Sequence, residues 1–296
     1  MKRFIFNWNV RRVLWYIAGV FLFFAPFAYY QQFMVFLTGL STTPNIHGVC
    51  PRRPLLYFSR GGGEFNTLFT IPIISIFLVI VVAFFFGPLF CSKLCPSGAF
   101  SEYLSKIFPK KLQINWTKMV NPAPVRYGFL AGFLLSPMFA GSIAHAFCNF
   151  WAFEVLVSYG IGTYTSVIPA AVLLTVSIWL ILFGLLSRGG RGFCNFMCPV
   201  GAVQSLVHSV GARLPFTYKI KFIQSKCTNC NACTRVCPMG CWDMKTKEHN
   251  INHCITCRQC EQKCRPKAIE FGRGVRNEDL VQVFTEEAFT TDNKGV

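Results

Sequence analysis

The chain has 296 residues, of which 53% are hydrophobic and 14% charged, and a formal charge of +17 from 29 Lys+Arg against 12 Asp+Glu. Its apolar residues lie in long blocks with basic residues at their edges, which argues against a soluble core. It also argues against a nucleic-acid binder, whose basic residues would coat a polar domain. With so few acids, a paired-carboxylate glycosidase is a poor reading.

The chain begins MKRFIFNWNVRR and runs straight into an apolar stretch. No small-x-small cleavage site precedes Tyr29, Tyr30, Gln31 and Gln32, so a retained first helix is expected rather than a targeting peptide. Apolar stretches follow at Val13–Phe36, Leu68–Phe90, Tyr127–Phe147 and Val167–Leu186. Each is long enough to cross about 30 Å of hydrocarbon as a helix. Lys2, Arg3, Arg11 and Arg12 precede the first stretch. Lys93, Lys106, Lys110, Lys111, Lys118 and Arg126 separate the second and third, and Arg188 and Arg191 follow the fourth. The positive-inside rule puts all three regions in the cytoplasm, with Arg52, Arg53 and Arg60 as the contrary charges. Arg188 and Arg191 read as ordinary anchors, and His208, on VQSLVHSVGARL, reads as a surface residue.

The expected fold is therefore an all-α membrane bundle of four transmembrane helices in two parallel repeats, plus a C-terminal bacterial-type 2[4Fe-4S] ferredoxin domain. The membrane domain takes residues 1–212, with repeats at about 10–103 and 124–206. The ferredoxin domain takes 213–275 and a polar tail 276–296. The expected location is a bacterial inner (cytoplasmic) membrane, crossed several times, with both termini and the ferredoxin domain cytoplasmic and with lipid as a partner.

The repeat is visible in two matching motifs, FCSKLCPSGA and FCNFMCPVGA. At helical spacing Cys91 and Cys95 share a face, as do Cys194 and Cys198. Symmetry across the repeat brings the four thiols together as a candidate inner site, suited to iron–sulfur, zinc or copper(I). The alternative is four free thiols that pack the bundle. A second pair of motifs, His47-x2-Cys50 and His145-x2-Cys148, falls in the two predicted outer loops. It gives a candidate outer site of His47, Cys50, His145 and Cys148. A Cys50–Cys148 disulfide and a histidine proton acceptor for quinol are the competing readings.

The tail carries the strongest signal. Cys227/Cys230/Cys233/Cys237 and Cys254/Cys257/Cys260/Cys264 are two C-x2-C-x2-C-x3-C runs. This is the ligand order of a protein with two [4Fe–4S] clusters, in which the fourth cysteine of each run serves the other cluster. Cys227, Cys230, Cys233 and Cys264 are expected to hold one cluster, and Cys254, Cys257, Cys260 and Cys237 the other. Zinc modules and disulfide frameworks give no reason for this order. Arg265 replaces the usual proline after Cys264. Cys241 falls at the position matching Ala268, and reads as an extra buried thiol rather than a ninth ligand.

The whole plan resembles the NapH/MauN-type membrane ferredoxins, a family related to NosR and to CcoG-like oxidase-assembly proteins. The resemblance covers roughly residues 10–270. It rests on the four apolar stretches, Cys91/Cys95/Pro96, Cys194/Cys198/Pro199 and the two tail runs. It implies a quinol dehydrogenase membrane component that exchanges electrons between quinone/quinol and ferredoxin-like, cytochrome or other respiratory redox subunits. The alternative is a metallocentre-assembly protein that reduces copper for a respiratory oxidase. No nucleic-acid partner is expected.

Overall fold

The computed structural model describes residues 10–24, 27–40, 70–140, 148–160, 162, 170–243 and 246–276. The chain divides into two units. A helical unit takes Met1–Val79 and Phe90–Ala202, and a ferredoxin unit takes Ile80–Leu89 and Val203–Val296.

The expected bundle of four membrane-crossing helices is not formed. No described helix is long and apolar enough to cross a membrane. The first apolar stretch is two helices, Val10–Phe23 and Tyr29–Thr38, separated at Ala28 by a left-handed backbone with φ 43°. The second is a helix of 16 residues, Ile71–Phe86, that stops at Gly87, whose φ is 78°. Sixteen residues rise about 24 Å, short of the hydrocarbon thickness. The third, Pro122–Ala140, opens on Pro122, Pro124 and Arg126. The fourth is a short α-helix, Ala170–Val176, continued as a π-helix over Ser177–Leu185. Apolar composition alone did not reveal these breaks.

An aromatic core holds the helical unit together. Phe24, Phe150, Phe153, Trp179 and Phe193 are buried in one cluster, and the rings of Phe24 and Phe153 meet edge to face at 5.1 Å. Close backbone approach matters at Gly19, where a Cβ would lie 2.1 Å from the Leu94 carbonyl oxygen. Gly19→Ala is expected to cost about 1–3 kcal/mol by overpacking against rigid backbone. Thermal unfolding should record it as a lower midpoint.

In the ferredoxin unit the first and last strands pair. Strand β1, Lys219–Phe222, runs antiparallel to β4, Ile269–Gly272, with Lys219 opposite Gly272 and Phe222 opposite Ile269. A smaller pair, β2 (Trp242–Asp243) and β3 (Glu248–His249), lies between the cysteine runs. The end of the Ile71–Phe86 helix belongs here because Tyr218 donates its N–H to the Phe85 carbonyl at 2.8 Å and stacks on Phe86 at 5.3 Å. Lys219 is buried, and its ammonium donates to the carbonyls of Ala212 and Leu214 at 3.0 and 2.5 Å. It thus caps the C-terminal end of the Pro199–Gly211 helix, where a cation is favoured. His208, expected at the surface, is fully buried on that helix. Burial holds its pKa down at about 4, so it stays neutral.

Candidate iron–sulfur sites

The two tail runs are built to one pattern. Asn229 and Asn231 in the first run match Thr256 and Arg258 in the second, and all four have left-handed backbones, at φ 54, 56, 50 and 60°. Such a backbone costs a non-glycine residue about 1 kcal/mol or more. Here it curls each loop so that amides point at sulfur. The Thr256 N–H donates to Cys254 Sγ at 3.3 Å. The fourth cysteines match as well: Cys241 N–H donates to Cys237 Sγ at 3.3 Å, and Ala268 N–H to Cys264 Sγ at 3.2 Å. Gly240 and Lys267 supply the left-handed turn at equivalent positions, φ 67 and 52°. The turn after Cys264 therefore forms with Arg265 in place of proline.

Short helices carry the third cysteines, Cys233 on Ala232–Val236 and Cys260 on Gln259–Lys263. Burial pushes the Cys260 thiol far up in pKa. The charges that raise it further are those of Cys254, Cys257 and Cys237. These four cysteines line one cavity, so Cys237 of the first run lies among the three of the second. Burial likewise pushes Cys233 up to about 11, with Cys227 and Cys230 as its thiol neighbours. Thiols, left-handed loops and N–H donors aimed at sulfur suit a [4Fe–4S] group, whose anionic sulfurs accept such bonds.

Two further groups stand beside Cys237 and Cys254. Cys241 is buried, and its thiol lies beside both sulfurs. His249 is 4% exposed, and its ring nitrogens have no ordinary hydrogen-bond partner among the described residues. The ring lies against the Cys254 sulfur and packs on Trp242 at 4.5 Å between centroids.

In the helical unit the repeat is exact in its local bonding. Cys95 N–H donates to Phe90 O at 2.8 Å and Cys198 N–H to Phe193 O at 3.0 Å, five residues back in each case. Each widened turn ends on a proline that starts a helix, Pro96–Ile107 or Pro199–Gly211. Gly98 N–H donates to Cys95 Sγ and Gly201 N–H to Cys198 Sγ, both at 3.4 Å. The positive ends of two helices thus face two sulfurs. All four cysteines are within electrostatic range, since Cys95, Cys198 and Cys194 each act on Cys91. Burial is the main cause that pushes Cys95 up to about 12 and Cys194 to about 11.

Buried arginines frame this thiol set. A Cβ at Gly98 would lie 2.8 Å from Arg191 Nη1 and 3.4 Å from Cys194 Sγ, and one at Gly201 would lie 2.9 Å from Arg126 Nη2. Glu102 is fully buried and holds the frame together. Its oxygens accept from Arg12 Nη1 and Nη2 at 2.6 and 2.8 Å and from Arg191 Nε at 2.7 Å. Arg191 also donates to the Cys91 carbonyl and to Tyr16 Oη, both at 2.8 Å. Tyr16 in turn donates to the Ser92 carbonyl at 2.5 Å. The π-helical turn Phe90–Leu94 that carries Cys91 is thereby clamped from two sides. Arg191 is thus paired with Glu102 while its Nη1 lies beside the thiols, and Arg126 approaches them beside Gly201. Buried positive charge at this place suits an anionic group such as [4Fe–4S]2+ with four thiolates.

Of the candidate outer site, His47, Cys50 and His145 lie outside the described residues. Cys148 is described, and is buried against the aromatic core.

Two family models match the chain. One, described as a 4Fe-4S binding domain, matches residues 68–115 and again 171–216, and so takes in both Cys-x3-Cys-Pro motifs. The other, a 4Fe-4S dicluster domain, matches residues 219–265. Among curated proteins, the chain is similar to the methylamine utilization ferredoxin-type protein MauN of Methylobacillus flagellatus, 31% identical over 54% of this chain and 52% of the relative. It is 24% identical to the putative electron transport protein YccM of Escherichia coli, over 71% of this chain and 57% of YccM. It is 23% identical to the ferredoxin-type protein NapH of Escherichia coli, over 60% of this chain and 58% of NapH. These relatives and the two family models support a likeness to the NapH/MauN-type ferredoxins. It spans between about half and three fifths of these three relatives. No solved structure matches it. The matches give it 4Fe-4S binding domains in both halves of its sequence and support a ferredoxin-type electron-transport function.

The residues that sequence reasoning missed in this chain are the charged ones. Arg12, Arg126 and Arg191 were counted as interface anchors, yet they are 6, 3 and 1% exposed. Glu102 was not singled out. Its one signal was an acid standing alone in a strongly basic segment.

Proposed function

We propose that the protein passes electrons between the quinone/quinol pool and a partner redox protein, by way of the two tail sites and a third iron–sulfur site at Cys91, Cys95, Cys194 and Cys198. The observation that carries this reading is the gathering of Cys237 with Cys254, Cys257 and Cys260, as a tail with two crossed cluster sites requires. Bound [4Fe–4S] groups supply one-electron chemistry. The chain's part is to seat them, to aim N–H donors at the thiolates, and to keep water from the buried sulfurs. For the third site, a cluster is favoured over a single ion by the spread of the four thiols. Among the described residues, the donors that come within 4.8 Å of one another are Cys241, His249 and Cys254. A single zinc-like ion needs its sulfurs about 3.8 Å apart. The quinol link and the class of partner, ferredoxin-like or cytochrome, rest on the likeness to that family.

The test is anaerobic mixing of the purified chain with a quinol, read by EPR. Reduced-cluster signals within the time of turnover are expected. Absence of any reduction by quinol, together with rapid reduction of copper(II) by the dithionite-reduced chain, overturns the reading in favour of copper handling for a metallocentre.

We also place the protein on the inner membrane of a bacterial cell, with the ferredoxin unit on the cytoplasmic side. The support is the basic flanks together with exposed apolar side chains of the helical unit, among them Leu14, Phe77, Leu78 and Leu173. Cell fractionation should recover the chain with the membranes, resistant to a high-salt wash. Recovery in the soluble fraction would remove this placement.

A further inference from the structure

We propose that Cys237, Cys241, His249 and Cys254 form a single-ion site for one divalent ion of the zinc class, and that filling it excludes the second tail cluster. The inference rests on the reading of Cys237 and Cys254 as ligands of that cluster.

The donor atoms of Cys241, His249 and Cys254 all lie within 4.8 Å of one another, and all three residues are buried. Cys237 lines the same cavity, with its Sγ accepting from the Cys241 N–H at 3.3 Å. The set is Cys3His, a recurring structural zinc combination. With metal–sulfur bonds near 2.3 Å, a tetrahedral ion holds its sulfurs about 3.8 Å apart, so these three donors move inward by about 1 Å or less and Cys237 closes in from outside the 4.8 Å set. His249 is ready for such a bond. Its ring is sequestered from water, lies against the Cys254 sulfur, and is held in place by the stack on Trp242. The β2–β3 pair places Trp242 opposite His249 and thereby fixes the register that brings the ring to the thiols.

The first tail site has no such set. The position equivalent to Cys241 is Ala268, whose N–H makes the matching bond to Cys264 but which offers no donor atom. The single-ion site is therefore specific to one half of the duplicated unit. Ion binding here is not a redox step. A divalent ion enters, three thiols give up their protons to solvent, and neutral His249 supplies the fourth bond, leaving a centre of net charge −1. Cys237 and Cys254 are then unavailable to a cluster that also needs Cys257 and Cys260.

The experiment uses the full-length chain isolated without clusters, and cobalt(II) and zinc(II) as probes. One cobalt should bind per chain with the intense visible bands of tetrahedral thiolate ligation. Cys241→Ser and His249→Gln should each weaken cobalt binding at least about tenfold. Loading with iron and sulfide after one equivalent of zinc should yield about four fewer irons per chain than loading without zinc. His249→Gln should restore most of the difference. Cobalt binding that ignores both substitutions, or that needs Cys257 and Cys260 instead, overturns the proposal. So does a zinc effect shared equally by the two tail clusters. The zinc-free loading is a separate control: a chain that fails to take up two tail clusters there contradicts the cluster assignment itself.

Discussion

Glu102→Gln is expected to destabilise the helical unit by about 3–5 kcal/mol, because it leaves Arg12 and Arg191 buried without their shared counter-charge. Denaturant unfolding of the cluster-free chain should report the loss. Iron taken up by the four-thiol site should fall with it, because Arg191 is the clamp on the Cys91 turn. The same ion network sets a pH dependence. Burial alone raises the Glu102 pKa, but Arg12, Arg191 and Lys106 together bring it well below the ordinary carboxylate value. Since the folded pKa is depressed, the stabilisation is fully present above about pH 5 and is lost only as pH falls toward the folded value. Glu102→Gln should therefore flatten the acid limb of the stability profile. A variant as stable as the parent at pH 7 would show that the network is of no consequence.

Serine substitutions at paired cysteines should separate the two tail clusters. Cys237→Ser and Cys260→Ser are each expected to lower iron by about four atoms per chain, and the double substitution should lower it no further. Cys237→Ser with Cys233→Ser should lower it by about eight, because these residues come from one run but serve different clusters. Iron analysis with EPR on the full chain is sufficient. If Cys237 and Cys233 instead behave as one unit, each run holds its own cluster and the crossed arrangement is wrong.

The ferredoxin unit was legible because its chemistry is written in spacing. The two cysteine runs repeat at identical spacing, whereas the left-handed residues at matching offsets, Asn229 and Thr256, Asn231 and Arg258, carry no residue type in common that would have marked them. The helical unit was less so. Hydropathy counts residues and does not register where a helix ends, so the turn at Ala28 and the stop at Gly87 went unseen, and four spans were expected where no described helix is long enough. Charge was misread for a related reason. A tally of Lys and Arg treats Arg191 like Arg188, although one is fully buried in an ion network and the other is outside it. What distinguishes them is a partner 89 positions away, Glu102, and pairing at that distance leaves no local trace. The candidate inner site was legible as a pair of motifs. Its arginine frame was not, because Arg126 and Arg191 come from segments with no repeat relation to each other.

The pairing of β1 with β4 has a consequence for biosynthesis. The strand that opens the ferredoxin unit finds its partner only in the strand that closes it, with Lys219 opposite Gly272. Every tail cysteine lies between the two. A nascent chain therefore displays the first run, and then the second, before the sheet that brackets them can zip. During that interval the thiols are open to whatever soft ion reaches them first.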